Sequence, residues 1–119
     1  MNLQVTMLSI RLSERITLVK KSNVDTKIFL EVLNSTYFKT GMSENKAFKM
    51  IEGNHDATFT LANLKKDITT MTNAATNLGI ELPMISKAEE IYENAMKEGL
   101  GDLDYTGIIQ YIKKINNIF

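Results

Sequence analysis

The sequence predicts an all-α domain of about six helices with a long first helix, and three observations predict it. Apolar residues recur at steps of three and four along most of the chain. No stretch of useful length alternates apolar and polar residues as a half-buried strand would. Capping residues, glycines and the one proline cut the chain into helix-sized pieces. The clearest piece runs from Phe59 to Gly79, where Leu61, Leu64, Ile68, Met71, Ala75 and Leu78 form one stripe. Asn63, Lys66, Thr70, Asn73 and Asn77 step by the same intervals on the opposite face, with Asp67 on the flank. Gly79 suits a left-handed C-cap, and Pro83 stops the helix from continuing. This helix therefore has one side for a core and one side of amides and lysine.

The other elements follow in order. Residues 2–21 read as a helix with Leu3, Met7 and Ile10 on one strip and Leu8, Leu12 and Val19 on another. So wide an apolar arc predicts a helix sandwiched between its own domain and something further. Ser22 and Asn23 end it. Asp25 is the N-cap of a short helix whose buried face is Ile28, Phe29, Val32 and Leu33. Asn34 to Gly41 is a turn-rich exit carrying Tyr37 and Phe38. Ser43 caps another short helix, with Ala47, Phe48 and Ile51 inward and Gly53 stopping it. Asn54-His55-Asp56 then forms an exposed polar loop ahead of the central helix. Pro83 opens the next helix, in which Ile85, Ala88, Ile91, Tyr92 and Ala95 face the core and Glu89, Glu90 and Glu93 face water. Gly99 ends it, and Asp104 caps a last helix carrying Ile108, Ile112 and Ile115.

A chain of 119 residues that is 44% hydrophobic and 24% charged has material for one core, so residues 1–119 read as one domain. Fourteen basic residues balance fourteen acidic ones, and a nucleic-acid partner is not expected without a basic excess. Arg11, Glu14 and Arg15 interrupt the first twenty residues, so neither a signal-peptide core nor a membrane span is expected there. The absence of cysteine fits a reducing, cytoplasmic setting, and Asn34-Ser35-Thr36 reads as a chance glycosylation match. With His55 as the single histidine, no two-imidazole metal site can form in one chain, and Glu52, His55 and Asp56 match no ligand spacing. Gly99-Leu100-Gly101-Asp102 follows a helix rather than a strand and places a carboxylate where phosphate would sit, so it reads as a turn. Composition, period and spacing stop at a helical domain with one wet face.

The ordered set of residues goes further. Phe59-Thr60-Leu61, Leu64 and Lys66-Asp67-Ile68 follow an F-x-L-x-x-x-x-K-D-L pattern. Glu14, Leu30-Glu31-Val32-Leu33-Asn34, Gly79, Pro83, Tyr92, Ala95 and Gly99-Leu100-Gly101-Asp102 with Asp104 accompany it at matching intervals. From Asn2 to about Lys113 the chain resembles the helical C-terminal domain of the β-hydroxyacid dehydrogenases, the family of 3-hydroxyisobutyrate dehydrogenase and the glyoxylate and succinic semialdehyde reductases. The fold so implied is the bundle of the 6-phosphogluconate dehydrogenase C-terminal domain. In that family the helical domain follows a nucleotide-binding Rossmann domain, and the active site lies between the two.

The resemblance implies that Lys66 lies near an NAD or NADP cofactor, that Asp67 holds the cleft geometry and that Phe59 lines the substrate side. Asn2 is what remains of an asparagine pair near the cleft. The family's catalytic lysine, counted back from Glu14, falls upstream of Met1, and the Rossmann domain is absent from the sequence. Carbonyl reduction needs a proton donor beside the developing alkoxide, so this chain alone is expected to be inactive and to bind no cofactor by itself. Its expected partners are a Rossmann domain and a second copy of itself met through the first helix. The alternative is a helical interaction module that keeps the fold without an enzymatic role.

Overall fold

A computed structural model describes residues 2–118. Leu61–Asn77 forms the central helix α5, Pro83–Lys97 forms α6 beside it, and Asn2–Lys21 forms the long α1 across both. Thr26–Asn34 (α2), Gly41–Asn45 (α3) and Ala47–Glu52 (α4) cover the second half of α1. A short 3₁₀ turn, Tyr105–Gly107, leads into Ile108–Ile115 (α7), which packs along α1. Among the described residues there is no strand, only an isolated antiparallel bridge between Thr60 and Asp104. The all-α expectation holds.

Two apolar clusters flank α1. One joins Ile10 to Leu61, Leu64 and Ile68 of α5, to Ala88, Tyr92 and Ala95 of α6, and to Ile108. The other joins Leu12 and Ile16 to Met42, Ala47, Met50 and Ile109. The face α1 turns inward also carries Thr6, Ser9, Ser13 and Thr17, all buried. Small side chains at these positions let neighbouring helices come close. Their hydroxyls are satisfied within α1 itself: Ser13 donates to the Ser9 carbonyl at 2.6 Å, Thr17 to the Ser13 carbonyl at 2.8 Å, and Ser9 to the Val5 carbonyl. The two apolar strips expected on α1 are therefore corrected. Met7 and Leu8 are only half-buried, and the seam runs through the hydroxyl residues that polarity alone would place outside.

Helix ends follow the local chemistry. The Asp25 carboxylate accepts from the Lys27 amide at 2.8 Å, and Gly79 takes the left-handed conformation at φ 69°. Pro83 is the first residue of α6. The third expected helix is two helices that meet at Lys46, whose φ of −120° breaks the run. Its cap is Thr40 rather than Ser43. Ser43 sits three residues on and bonds back to the Thr40 amide, closing a reciprocal capping box. Phe48, expected inward, is exposed, and Met50 fills that core position. Ile28, Val32 and Leu78 are likewise exposed: α2 has no covering layer, and Leu78 lies in the cap beyond the last turn of α5.

The glutamates of α6 divide. Glu90 faces water, whereas Glu93 pairs with Lys65 at 2.8 Å and Glu89 accepts from the Thr72 hydroxyl at 2.8 Å, so both tie α6 to α5. Ile68, 1% exposed at the centre of the first cluster, is the most sensitive point of this seam. Ile68→Ala is expected to cost on the order of 3 kcal/mol and Ile68→Asp more, because an unpaired carboxylate would replace close packing. Urea unfolding followed by circular dichroism measures both.

Candidate functional site

The amide-and-lysine face of α5 is open. Asn63, Lys66, Thr70, Asn73 and Asn77 are all exposed, and the Lys66 ammonium makes no ion pair or hydrogen bond among the described residues. Asp67 is half-buried on the flank of α5 away from Lys65 and α6. Phe59 lies just before the Thr60 N-cap, with its ring partly exposed. Lys66 sits about 7.5 Å along the axis from Leu61. Asn2 opens α1, and its side chain lies outside the described residues.

What fixes this face is the chain that leads into α5. Segment 55–60 is zipped to segment 101–106: the Asp104 amide donates to the His55 carbonyl at 3.0 Å and the Tyr105 amide to the Phe59 carbonyl at 3.0 Å. The first amides of α5 are met by the Gly99–Asp104 turn. Leu61 N–H donates to the Leu103 carbonyl at 2.8 Å and Ala62 N–H to the Gly101 carbonyl at 3.0 Å. A Cβ on Gly101 would stand 2.9 Å from the Met96 sulfur and 3.5 Å from the Ala62 Cβ, so glycine lets the turn reach the helix end. The turn expected from the sequence is thus a cap for α5, and its carbonyls occupy the amides that could otherwise have met an anion.

The Asp104 carboxylate, 2% exposed, locks this clasp. Oδ1 accepts from the Thr58 amide (3.0 Å), the Thr58 hydroxyl (3.0 Å) and the Phe59 amide (3.1 Å). Oδ2 accepts from the Thr106 hydroxyl (3.0 Å) and the Thr106 amide (3.4 Å), with the Lys46 ammonium at 3.5 Å. Lys46 also lies 5.3 Å from the centroid of the Tyr105 ring. Burial pushes the Asp104 carboxyl upward, but the Phe59 and Thr58 amides and then the two hydroxyls outweigh it and hold its pKa below the ordinary range. Asp104 was expected only as a helix cap. It is that, through the Thr106 amide, and also the fastening for Phe59 and the start of α5.

His55, expected in an exposed loop, is buried against this clasp. Its proton can be placed from its neighbours. Asp104 only accepts, so the Thr106 hydroxyl donates to it and must accept from His55 Nδ1–H at 3.1 Å. Nε2 then accepts from the Gln110 amide at 3.2 Å. This relay needs a neutral imidazole. Burial first, and the nearby Lys113 charge second, lower the His55 pKa, while Asp104 opposes them. Among the described residues no three acidic or histidine side chains are grouped to hold a metal.

Residues 1–112 match the family described as NAD-binding of NADP-dependent 3-hydroxyisobutyrate dehydrogenase. The chain belongs to this dehydrogenase family. It is similar to glyoxylate/succinic semialdehyde reductase 1 of Arabidopsis thaliana, 26% identical over 85% of this chain and 35% of that protein. The uncharacterized oxidoreductase YfjR of Bacillus subtilis (strain 168) is 31% identical over 86% of this chain and 36% of its own length. Among solved structures, a 3-hydroxyisobutyrate dehydrogenase from Salmonella typhimurium superposes with a TM-score of 0.85 at 19% identity, over 92% of this chain and 38% of that one. The fold is therefore that of the helical part of such dehydrogenases. The chain spans about a third of the length of the curated relatives it matches. Among the described residues no helix is long and apolar enough to cross a membrane.

Within this family domain the clasp gives stability a pH dependence of definite sign. A depressed His55 pKa means the unfolded chain binds the proton first, so His55 stabilises the fold above about pH 6.5. That contribution falls as pH drops below 6.5 toward the depressed value. Asp104, also depressed, adds stability that persists further down and is lost in stronger acid as its own folded pKa is crossed. Thermal melts from pH 8 to pH 4 are expected to fall in the first window for the natural chain and to stay flat there for His55→Gln.

Proposed function

We propose that this chain is the substrate-side domain of an NAD(P)-dependent 3-hydroxyacid dehydrogenase, acting with a Rossmann unit that carries the cofactor and not turning over substrate alone. The observation that carries this reading is the Lys66 ammonium, exposed and unpaired among the described residues, on an α5 whose lead-in is clamped beside Phe59. An unpaired cation on a rigid helix suits a phosphate or carboxylate brought by another surface. The names of the relatives favour small aldehyde and hydroxyacid substrates such as glyoxylate or 3-hydroxyisobutyrate.

In this arrangement each residue has a distinct task. Lys66 meets an anionic group of the NAD or NADP held by the Rossmann unit. Phe59 walls the substrate side and sheds water from it. Asp67, half-buried, keeps the flank of α5 in register with the facing domain, and Asn2 contributes an amide near the first helix end. Hydride comes from the nicotinamide when that cofactor is bound. The proton for the developing alkoxide comes from outside this chain, since no residue of the α5 face is a lysine placed to reach both the face and the start of α1.

The test mixes the chain with a separately expressed Rossmann unit of a relative that retains its catalytic lysine, and follows NAD(P)H absorbance with glyoxylate and with 3-hydroxyisobutyrate. No turnover is expected from either piece alone, and turnover from the pair. Lys66→Ala is expected to raise the cofactor KM about tenfold or more, as loss of a charge-assisted contact implies, with an unchanged melting temperature. A pair that turns over equally well with Lys66→Ala would overturn the assignment of that lysine. A pair that never turns over would overturn the reading as a whole.

A further inference from the structure

Helix α2 buries none of its side chains: Ile28 is 56% and Val32 59% exposed. Between α2 and α1 runs a groove of about 470 Å³, floored by Leu8, Leu12, Phe29 and Leu33 and rimmed by Arg11 and Arg15. At its edge stand Tyr37, 94% exposed, and Phe38, 76% exposed, packed edge to face with centroids 5.7 Å apart. Glu14 lies on the same outer strip of α1 as the two arginines, and none of the three makes an ion pair among the described residues.

We propose that this face is a two-fold interface with a second copy of the chain, in which Phe38 of each copy enters the α1–α2 groove of the other. The argument is self-complementarity. An apolar knob and an apolar hole share one surface, as do a carboxylate and two guanidinium groups. Such a surface satisfies itself across a two-fold axis, where the knob of each copy meets the hole of the other. Antiparallel apposition of the two α1 helices brings Glu14 of one copy to Arg15 of the other, twice. A wholly acidic partner would answer the arginines and leave Glu14 facing like charge.

The area is adequate. The aromatic pair alone would bury on the order of 300–400 Å² per copy. Val32, Ile28 and Leu18, each more than half exposed, carry the total toward the roughly 800 Å² per partner of a standard stable interface. The first helix thus contributes the charges, and α2 with the aromatic pair contributes the apolar contact. The inference needs neither a cofactor nor a Rossmann unit, so its failure would leave the dehydrogenase reading untouched.

Sedimentation equilibrium of the 119-residue chain tests it, with circular dichroism verifying that each variant is folded. The natural chain is expected at twice the 13.5 kDa of one copy. Phe38→Asp, a change at an exposed ring, is expected to weaken association at least thirtyfold. Glu14→Arg alone is expected to weaken it by placing three cations together, and Glu14→Arg with Arg15→Glu to restore it. A monomer at 100 μM would overturn the proposal, and so would a dimer indifferent to both Phe38→Asp and Glu14→Arg. If Phe38→Asp leaves self-association intact but abolishes capture of a separately added Rossmann unit, the groove belongs to that unit and the proposal likewise falls.

Discussion

A single buried carboxylate sets where the working face of this domain begins. Asp104 is reached by donors from Thr58, Phe59, Thr106 and Lys46, on three separate stretches of chain. A carboxylate this deep survives as an ion only because those donors replace its water shell. The consequence is mechanical. Segment 55–60 has no helix or strand of its own, yet it cannot drift, because its backbone amides are pinned to one side chain and its carbonyls to the amides of Asp104 and Tyr105. Phe59 inherits a fixed place from this, and so does the first turn of α5. The same arrangement fills the amides at the start of α5 with carbonyls, which leaves the side of the helix as the part open to an anion.

The second constraint is spacing. Helix α1 serves two apolar clusters at once, with α5 and α6 against its first half and α3, α4 and α7 against its second. A helix that must accept neighbours over so much of its circumference cannot carry bulky residues all round. Thr6, Ser9, Ser13 and Thr17 solve this by being small and by returning their polarity to their own helix. Their burial also explains where the larger residues go. Arg11, Glu14 and Leu18 are pushed to the outer strip, and the open groove beside α2 follows from that division.

Much of this was legible in the sequence. The three-and-four stripe of α5, its opposite amide face, the Asp25 cap, the Gly79 C-cap and the Pro83 start are each written in a few adjacent residues, and each stands where the pattern puts it. What escaped was whatever depends on residues far apart in the chain. His55 between an asparagine and an aspartate looks like a solvated loop; it is buried because Gln110 and Thr106, more than fifty positions on, offer its two nitrogens a partner each. Asp104 looks like an ordinary cap for the same reason. Thr40 and Ser43 show a subtler failure: both are good capping residues, and only the reciprocal bond between them decides which is the cap. The seam of α1 was missed because polarity is a poor guide when a hydroxyl can donate to its own helix. The F-x-L-x-x-x-x-K-D pattern reached the family where spacing alone stopped.

The two open surfaces differ in how they are held, and that difference bears on what each can do. The α5 face rests on a helix sealed by a full apolar stripe and by a buried carboxylate at its start, so Lys66 presents a charge from a backbone that does not yield. Recognition of a small anion at a fixed distance requires that rigidity, because a misplacement of about 1 Å forfeits much of a charge-assisted contact. The α2 surface is the opposite case: its helix buries no side chain, and its best-fixed contact is the Asn34 amide reaching the Ser43 carbonyl at 3.0 Å. Apolar packing is non-directional and tolerates such adjustment. One chain therefore separates a stiff polar face suited to chemistry from an adaptable greasy face suited to assembly, and α1, shared by both clusters, is the element through which each would feel the other.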